Sequence, residues 1–451
     1  MAAQILCLLP PEELLDHVLT AFGKRDRFGG KLPFKLTAQL TVTMALSPEE
    51  SVESVLEALV ALVGVPTFWR GKPPQASSIT AARDRLSWEV SRELFRSHAK
   101  QVQSPGDPRW KGFRVVAADG TTFRAPDTAA NEAAFGKPNG SKQGTFPVLR
   151  CLAIADVNTH KIVAATLAPY AGAGNGEVSL LKGLVGELDQ DVLTLMDRGF
   201  CGFDLLRTFV QADRKFVVRM PKGGCTIKLV RTKVLQPDGD YLVTYPVPKS
   251  FKPKKGAKPL SSLREIRYTF PKKRCKRSKT KAKRKRQRTT NVKPQGSGKR
   301  RRTPRHLFLL TNLVDPKEFP ADQIAELYLK RWEIEFVFRE IKSTLTRRKV
   351  HFRSKKPRRV LQEVYATLTA YNLIRDRISA VARELKQEPT RLGYAKSLQR
   401  LKRAHWGREP WSQVVPSFSG YQITRRPPRS YPRAVRPGSA RYPAKKHRNA
   451  A

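Results

Sequence analysis

The sequence predicts an α/β protein, in which a mixed sheet covered on both faces follows a helical domain and is interrupted by a β-rich insertion. Three observations give this prediction. Residues 1–105 follow helical periodicity, residues 110–220 alternate apolar β-rich runs with helical segments, and residues 221–304 turn to short strands. The alternation returns at His306. With 451 residues, 40% of them hydrophobic, the chain is long enough to bury a sizeable core.

Residues 1–108 are predicted to form a helical N-terminal domain. PPEELLDHVLTAFGK opens with prolines and two acids, as helices often do. In SPEESVESVLEALVALVG, Ser47 and Glu50 have the spacing of a capping box, which predicts a helix from Ser47 to near Gly64. SSITAARDRLSWEVSRELFRSHAKQV has an apolar and a basic face. Two roles stay open for this domain: DNA binding, and dimerisation or plain packing.

Residues 109–220 are predicted to form the first part of the core, and residues 306–415 its second part with the C-terminal helices. Strands are predicted in FRVVAAD, LRCLAIAD, KIVAATLAP, DVLTLMD, KFVVRMP and HLFLLTNL. Helices are predicted in NGEVSLLKGLVGEL, FDLLRTFVQA, DQIAELYLKRWEIEFVFREIKSTL and RVLQEVYATLTAYNLIRDRISAVAREL.

Residues 221–305 are predicted to be a β-rich insertion with a basic loop, and residues 416–451 a basic Pro/Arg-rich tail. Short antiparallel strands are expected in TIKLVRTKVL, YLVTYPV and LREIRYTF. Lys272–Arg305 carries 18 Lys and Arg residues and no acid, which predicts a mobile loop because like charges repel. The tail from Arg425 adds 9. Without these two segments the net charge falls from +49 to +22, so the folded domains are themselves basic.

Net charge narrows the range of partners. A charge of +49 and a pI of about 10.7 predict attraction to polyanions, and to nucleic acid before an anionic membrane surface. The apolar stretch Val52–Val65 is broken by Glu53 and Glu57 and is too short to span a bilayer. The N-terminus lacks the basic region of a signal peptide.

Cysteine usage argues against a disulfide framework and against a zinc site. The count is odd and no CxxC pair occurs, which favours a reducing, intracellular compartment. The sequence also lacks a GxxxxGK[ST] P-loop and an HExxH motif, which argues against ATP-driven work and against a zinc protease. The five cysteines are Cys7, Cys151, Cys201, Cys225 and Cys275.

Two aspartates stand out against the basic background. Asp119 ends the predicted strand FRVVAAD and precedes Gly120, and Asp197 ends DVLTLMD and precedes Arg198 and Gly199. An aspartate after one strand is often only a turn former. Two of them on neighbouring strands would meet at the edge where α/β sheets place their chemistry.

The long predicted helix supplies a third carboxylate. At 100° per residue, a core stripe is formed by Leu327, Ile334, Phe338, Ile341 and Leu345, flanked by Val337. On the shoulder of that stripe lie Tyr328, Arg331, Glu335 and Lys342. Glu333 and Glu340 point elsewhere. A plain i,i+4 surface pair would account for Arg331 and Glu335, but not for the tyrosine and the lysine aligned with them.

Phosphoryl transfer accounts for this mixture of residues. Mg²⁺ prefers carboxylate oxygens, and Asp119, Asp197 and Glu335 are enough to hold two ions about 3.5–4 Å apart. Such a pair activates the attacking oxygen and stabilises the leaving one. Arg331 and Lys342 are suited to contact phosphate oxygens beside the scissile bond, and Tyr328 to donate a hydrogen bond to one.

The spacing Tyr328, two residues, Arg331, three residues, Glu335, six residues, Lys342 resembles the Y-(2)-R-(3)-E-(6)-K signature of the insertion-sequence-4-like family of bacterial DDE transposases. The surrounding motifs AADGTTF, LMDRGF and RWEIE are also similar to the family's. Asp197 lies 78 residues after Asp119, and Glu335 lies 138 residues after Asp197, so the likeness covers most of the middle of the chain.

The resemblance implies an RNase H-like core with a β-rich insertion between the second aspartate and the glutamate. It implies a cut-and-paste transposase that cuts DNA at the ends of a mobile element and joins those ends to target DNA. The implied cofactor is Mg²⁺, replaceable by Mn²⁺. The implied partners are double-stranded terminal inverted repeats, target DNA and a second copy of the chain, in the cytoplasm at the bacterial nucleoid. The implied DNA-contacting residues are Tyr328, Arg331, Lys342 and Arg198.

The chain departs from the family in two respects. Family members that form hairpin ends stabilise a flipped base with a tryptophan of the insertion, but no tryptophan lies between Trp110 and Trp332. Tyr241, Tyr245 and Tyr268 remain as candidates for stacking. The basicity of Lys272–Arg305 also exceeds what the family leads us to expect.

Other functions remain as alternatives. A domesticated transposase that binds DNA without catalysis would share the charge, and a metal-dependent nuclease would hydrolyse DNA without joining it. An RNA-binding structural protein would leave the three carboxylates unexplained. A covalent role for Tyr328, as in tyrosine recombinases, lacks the Arg-His surroundings of that class.

Overall fold

The structure, a computed structural model, describes residues 7–26, 32–64, 73–101, 106–138, 146–221, 228–237, 239–249, 258–270, 305–346 and 352–424. The predicted basic loop, except Arg305, and the tail from Arg425 lie outside these residues, as do Cys225 and Cys275. The chain divides into two compact units, Met1–Val218 with Leu327–Ala451, and Arg219–Glu326. Within the described ranges, every helix is too short or too polar to cross a membrane.

The first unit begins with helices, as predicted. These are α1 (Glu12–Ala21), α2 (Phe34–Leu46), α3 (Val52–Val63), α4 (Ala76–Leu86) and α5 (Trp88–Gln101). The predicted capping box is wrong, because residue 51 caps α3: the Ser51 hydroxyl accepts the Ser54 N–H at 3.0 Å. Ser47 instead starts a turn, since its carbonyl accepts the Glu50 N–H. The predicted end is confirmed by Gly64, whose φ of 101° terminates the helix.

Five strands of the first unit form a mixed sheet, which confirms the predicted α/β class. They are β1 (Arg114–Arg124), β2 (Val148–Asp156), β3 (Ile162–Pro169), β4 (Val192–Met196) and β5 (Lys215–Arg219). Their order is β3-β2-β1-β4-β5, with β1–β2 and β2–β3 antiparallel and β1–β4 and β4–β5 parallel. All five residues of β4 are buried. Because successive strand residues face opposite ways, both faces of the sheet are covered there.

Further helices of the first unit lie between and after these strands. They are α6 (Ala129–Phe135), α7 (Glu177–Leu184), α8 (Phe203–Gln211), α10 (Glu333–Arg339), α11 (Pro357–Glu384), α12 (Tyr394–Trp406) and α13 (Trp411–Val414), while α9 (Ala321–Leu329) joins the second unit to the first. The 28-residue α11 packs against α2 and α5 of the N-terminal part. Its Glu363 accepts a hydrogen bond of 2.9 Å from the buried Arg83 of α4.

The second unit contains an antiparallel sheet of β6 (Val230–Gln236), β7 (Asp240–Tyr245), β8 (Leu260–Phe270) and β9 (Arg305–Thr311), in the order β9-β8-β7-β6. At its centre the fully buried Arg264 donates to Asp240 Oδ1 at 2.7 Å and to the Phe319 carbonyl at 2.6 Å. The guanidinium therefore ties two strands to the loop that precedes α9.

Arg264→Ala is expected to destabilise the second unit by about 3 to 5 kcal/mol, because it leaves the buried Asp240 carboxylate without its partner. Arg267→Ala is the matched control, since Arg267 is exposed and pairs with Glu265 at 2.7 Å; its cost should stay within about 1 kcal/mol. Chemical denaturation of both variants measures the difference. Equal costs would contradict the assigned role of Arg264.

Candidate active site

The pairing of β1 places the two predicted aspartates side by side. β1 runs parallel to β4, and the last of the paired residues are Ala117 and Leu195. Asp119 lies two residues after Ala117, and Asp197 lies two residues after Leu195. Asp197 follows the last residue of β4, as predicted. The prediction that Asp119 also ends its strand is wrong, because β1 continues to Arg124 through its antiparallel pairing with β2.

Backbone N–H groups hold both carboxylates in place. Asp119 Oδ1 accepts the Gly120 N–H at 2.8 Å, and Asp197 Oδ1 accepts the Gly199 N–H at 2.7 Å. The second bond caps the 3₁₀ turn Arg198–Phe200. This turn therefore fixes the orientation of the Asp197 side chain at the edge of the sheet. The next residue, Arg198, is exposed.

Burial and neighbouring charges raise the pKa of Asp119 to about 6. Burial is the largest cause, and the Asp197 and Glu177 carboxylates raise the pKa further. The positive charge of Arg331 and the Gly120 N–H act in the opposite direction. The site therefore holds negative charges close together in a partly desolvated place, which a cation would relieve.

The predicted long helix is interrupted on both sides of α10. A 3₁₀ turn, Lys330–Trp332, joins α9 to α10, and a π-helical turn, Glu340–Leu345, follows. The predicted core stripe is confirmed for the buried residues Leu327, Ile334, Ile341 and Leu345. Val337, predicted to flank it, is fully buried, whereas Phe338 is only partly so. Ile334 and Val337 lie about one turn apart in α10, and both face the core.

Tyr328 and Arg331 both lie against the strand edge that carries the aspartates. The Tyr328 hydroxyl donates to the carbonyl of Met196, the residue before Asp197, at 3.0 Å. Arg331 Nη1 lies 3.6 Å from Asp119 Oδ2, and its guanidinium lies 4.4 Å from the centre of the Trp332 ring. These two side chains therefore hold the strand end and partly neutralise Asp119, roles that the sequence did not predict.

Lys342, in the π-helical turn, lies near β1 at Phe123, four residues after Asp119. Its Nζ is 5.6 Å from the centre of the Phe123 ring, and burial lowers its pKa. Glu335 lies half-buried in the first turn of α10. In the ranges that the structure describes, no three His, Cys, Asp or Glu side chains are grouped closely enough to hold a metal ion. The structure thus brings Asp119 and Asp197 together but does not group Glu335 with them as a ready set of ligands.

Sequence reasoning missed a carboxylate beside this site. A Cβ atom on Gly120 would lie 2.1 Å from Glu177 Oε1, so the Glu177 side chain occupies the space that only glycine leaves open. Glu177 Oε1 also accepts a hydrogen bond from Arg150 Nη1 at 3.4 Å. Glu177 lies in the first turn of α7, where acids are common for helix stability alone. Its position in the sequence therefore gave no separate signal.

The two aspartates at one sheet edge and the helix that carries Tyr, Arg, Glu and Lys are what a DDE transposase is expected to have, and comparison with known families agrees with this class. A family model of the "Transposase DDE domain" matches residues 110–373, and one of the "Insertion element 4 transposase N-terminal" matches residues 2–96. The chain belongs to the insertion-sequence-4 family of DDE transposases.

Curated relatives agree with this family. The transposase InsG for insertion sequence element IS4 of Escherichia coli K12 is 28% identical over 96% of this chain and 91% of its own length. InsZ, a predicted transposase of the same strain, is 32% identical over 47% of this chain and 68% of its own. The cryo-EM structure of a piggyBac transposase synaptic complex with hairpin DNA aligns with a TM-score of 0.39 and 10% identity, over 94% of this chain and 85% of that one.

Asp119→Asn is expected to stabilise the metal-free protein at neutral pH. A carboxyl whose pKa rises from 3.8 unfolded to about 6 folded costs stability as pH rises through that window, and the full cost, about 2 to 3 kcal/mol, is present above it. Asparagine does not ionise and escapes this cost. Melting temperatures between pH 4 and 8 should diverge in favour of the variant above pH 6 and converge near pH 4. A variant less stable than wild type at pH 7 would contradict the raised pKa.

Gly120→Ala is expected to destabilise the protein by about 1 kcal/mol or more, because the added methyl displaces Glu177 from Arg150. In a Glu177→Ala background the same substitution should cost clearly less, since the space is then free. A double-mutant cycle of melting temperatures measures this coupling. Equal costs in the two backgrounds would show that Glu177 does not occupy that space.

Proposed function

We propose that this transposase cuts a phosphodiester bond at each end of an insertion element and joins the freed 3′ ends to target DNA. The observation that carries the proposal is the register of β1 and β4, which aligns Asp119 with Asp197 at one sheet edge. Arg331 on the following helical segment is paired with that edge. An acidic centre with adjoining cations is what phosphodiester chemistry on DNA requires.

We propose that the five-stranded sheet is an RNase H-like core. Its strand order, with three antiparallel strands followed by two parallel ones, supports this assignment. The core then comprises residues 109–220 and 306–415, and the β-rich insertion residues 221–305. Residues 1–108 are proposed to bind DNA or a second protomer, and residues 416–451 to form a basic tail.

Asp119, Asp197 and Glu335 are proposed to hold Mg²⁺, as a pair of ions, with Mn²⁺ as a substitute. The fit rests on hard carboxylate oxygens and on the raised pKa of Asp119, which reflects negative charge that a cation would compensate. When bound, such ions supply Lewis-acid activation of the attacking and leaving oxygens. Glu335 is proposed to complete the set of metal ligands with the two aspartates.

Four side chains are proposed to contact the DNA backbone: Arg198, Tyr328, Arg331 and Lys342. Arg198 is exposed directly after Asp197, so a phosphate at the aspartates would lie within its reach. Arg331 would exchange its contact with Asp119 for a phosphate oxygen once a cation neutralises that carboxylate. The buried, cationic environment of Lys342 favours binding an anion, which would restore a high pKa.

The partners are proposed to be the element's terminal inverted repeats, target DNA and a second protomer in a synaptic dimer, in the bacterial cytoplasm at the nucleoid. If a hairpin intermediate forms, Tyr268 is the best placed of the three candidate stacking residues. Tyr245 is buried, and Tyr241 lies under the Arg231 guanidinium at 4.0 Å. Tyr268 is half-buried against Phe270, with ring centres 5.0 Å apart.

Cleavage of a labelled duplex that carries the element end and its flanking DNA tests the proposal. Wild type with Mg²⁺ should release the end, and Glu335→Gln should cut about a hundredfold more slowly or worse while still binding the duplex. Glu326→Gln, on an exposed residue of α9, is the matched control and should cut like wild type.

Either of two results would contradict the proposal. Binding without metal-dependent cutting by the wild type would indicate a domesticated DNA-binding protein, and nicks without joined products would indicate a nuclease. Cutting by Glu335→Gln at the wild-type rate would remove that residue from the site.

A further inference from the structure

The turn between β2 and β3 is bonded to the helical segment that carries the proposed active-site residues. Lys330 Nζ donates to Asn158 Oδ1 at 2.9 Å, and His160 Nε2 lies 2.8 Å from Glu333 Oε2. His160 is almost fully buried and has a φ of 63°, in the left-handed region. The two contacts are made by Lys330 and Glu333, which lie on either side of Arg331, and Glu333 is two residues before Glu335.

A second set of contacts holds the other end of the same segment. Glu340, the first residue of the π-helical turn, is ion-paired with Arg375 of α11 and accepts a hydrogen bond from the Tyr371 hydroxyl at 2.7 Å. Arg375 Nη2 also lies 2.9 Å from His160 Nδ1. His160 therefore contacts Glu333, at the start of α10, through Nε2. Through Nδ1 it contacts Arg375, which is ion-paired with Glu340 just after the end of α10.

Glu340 and Arg375 form a buried ion pair. Burial acts to raise the pKa of Glu340, but the charge of Arg375 and the contact with His160 lower it to about 2. Arg375 and Tyr371 are almost fully buried. A buried ion pair adds little net stability over an apolar core, but it fixes one arrangement of the groups that it joins. Glu333 and Glu340 are therefore directed toward His160 and Arg375.

We infer that His160 and Arg375 are positioning residues that fix the direction of Glu335 and Lys342 by anchoring Glu333 and Glu340. The inference rests on the proposed function. Its basis is the order along the chain: Glu335 lies between the two anchors, and Lys342 lies in the π-helical turn that begins at the second. The α-helical hydrogen-bond pattern is interrupted on both sides of α10, so contacts from outside the segment set how α10 is oriented.

The test compares His160→Ala with His160→Gln and with a buried control histidine. Gln keeps a donor for Glu333 and an acceptor for Arg375. The control is His98→Ala, because His98 is also buried and lies 3.3 Å from a carboxylate, that of Asp376, on the helices rather than at the active segment. The probes are Mn²⁺, titrated into protein bound to element-end DNA and followed by the electron paramagnetic resonance signal of the free ion, and Mg²⁺ in the cleavage assay.

His160→Ala is expected to weaken Mn²⁺ binding and to raise the half-saturating Mg²⁺ concentration by about tenfold, the effect typical of groups that orient metal ligands. End binding should stay unchanged, and His160→Gln should restore most of the loss. His98→Ala should lower only the melting temperature. If His160→Ala fails to fold, Tyr371→Phe removes a single hydroxyl from Glu340 and should shift the metal dependence in the same direction.

Equal effects of the two alanine variants on melting temperature, with unchanged Mn²⁺ affinity in both, would overturn the inference and leave the proposed function intact. Absence of metal binding and cutting by the wild type would overturn both. A weakened Mn²⁺ affinity in His160→Ala that Gln restores is the supporting outcome.

Discussion

The two-sided pairing of β1 is the constraint on which the site depends. On one side β1 pairs antiparallel with β2 as far as Arg124, and on the other it pairs parallel with β4 only as far as Ala117. The rest of β1 extends past the end of β4, so its edge is open toward Asp197. Asp119 therefore stands on a rigid strand and not on a loop, while its neighbour is directed by a 3₁₀ turn. Rigid elements hold reacting groups more accurately than loops do.

The site is acidic, although the chain as a whole is strongly basic. The net charge is +49, yet Asp119, Asp197 and Glu177 lie near one another and raise the pKa of Asp119. Arg331 is the nearest compensation, and it is itself buried against Trp332. The described residues thus place three carboxylates close together in a chain whose net positive charge attracts the phosphates of DNA.

Sequence reasoning anticipated those features that depend on local pattern. Apolar runs predicted the strands, and a stripe at helical spacing predicted the buried residues Leu327, Ile334 and Ile341. It failed where long-range contacts decide. The length of β1 is set by its pairing with β2, and Glu333 and Glu340 contact His160 and Arg375, which are far away in sequence. Glu177 and the Tyr328–Met196 hydrogen bond were likewise invisible, because each depends on a contact made only in the folded chain.

The π-helical turn at Glu340–Leu345 has a consequence for how this chain tolerates deletions. A π turn is equivalent to one residue inserted into an α-helix. Loss of one residue inside the turn would restore a regular α-helix and leave the residues beyond the turn facing as they do now. The same loss within the regular helix α10 would rotate the residues after it by about 100°, which would carry Lys342 away from Phe123. The length of the chain from Glu335 to Arg339 is therefore fixed by the geometry more strictly than the length of the turn that follows.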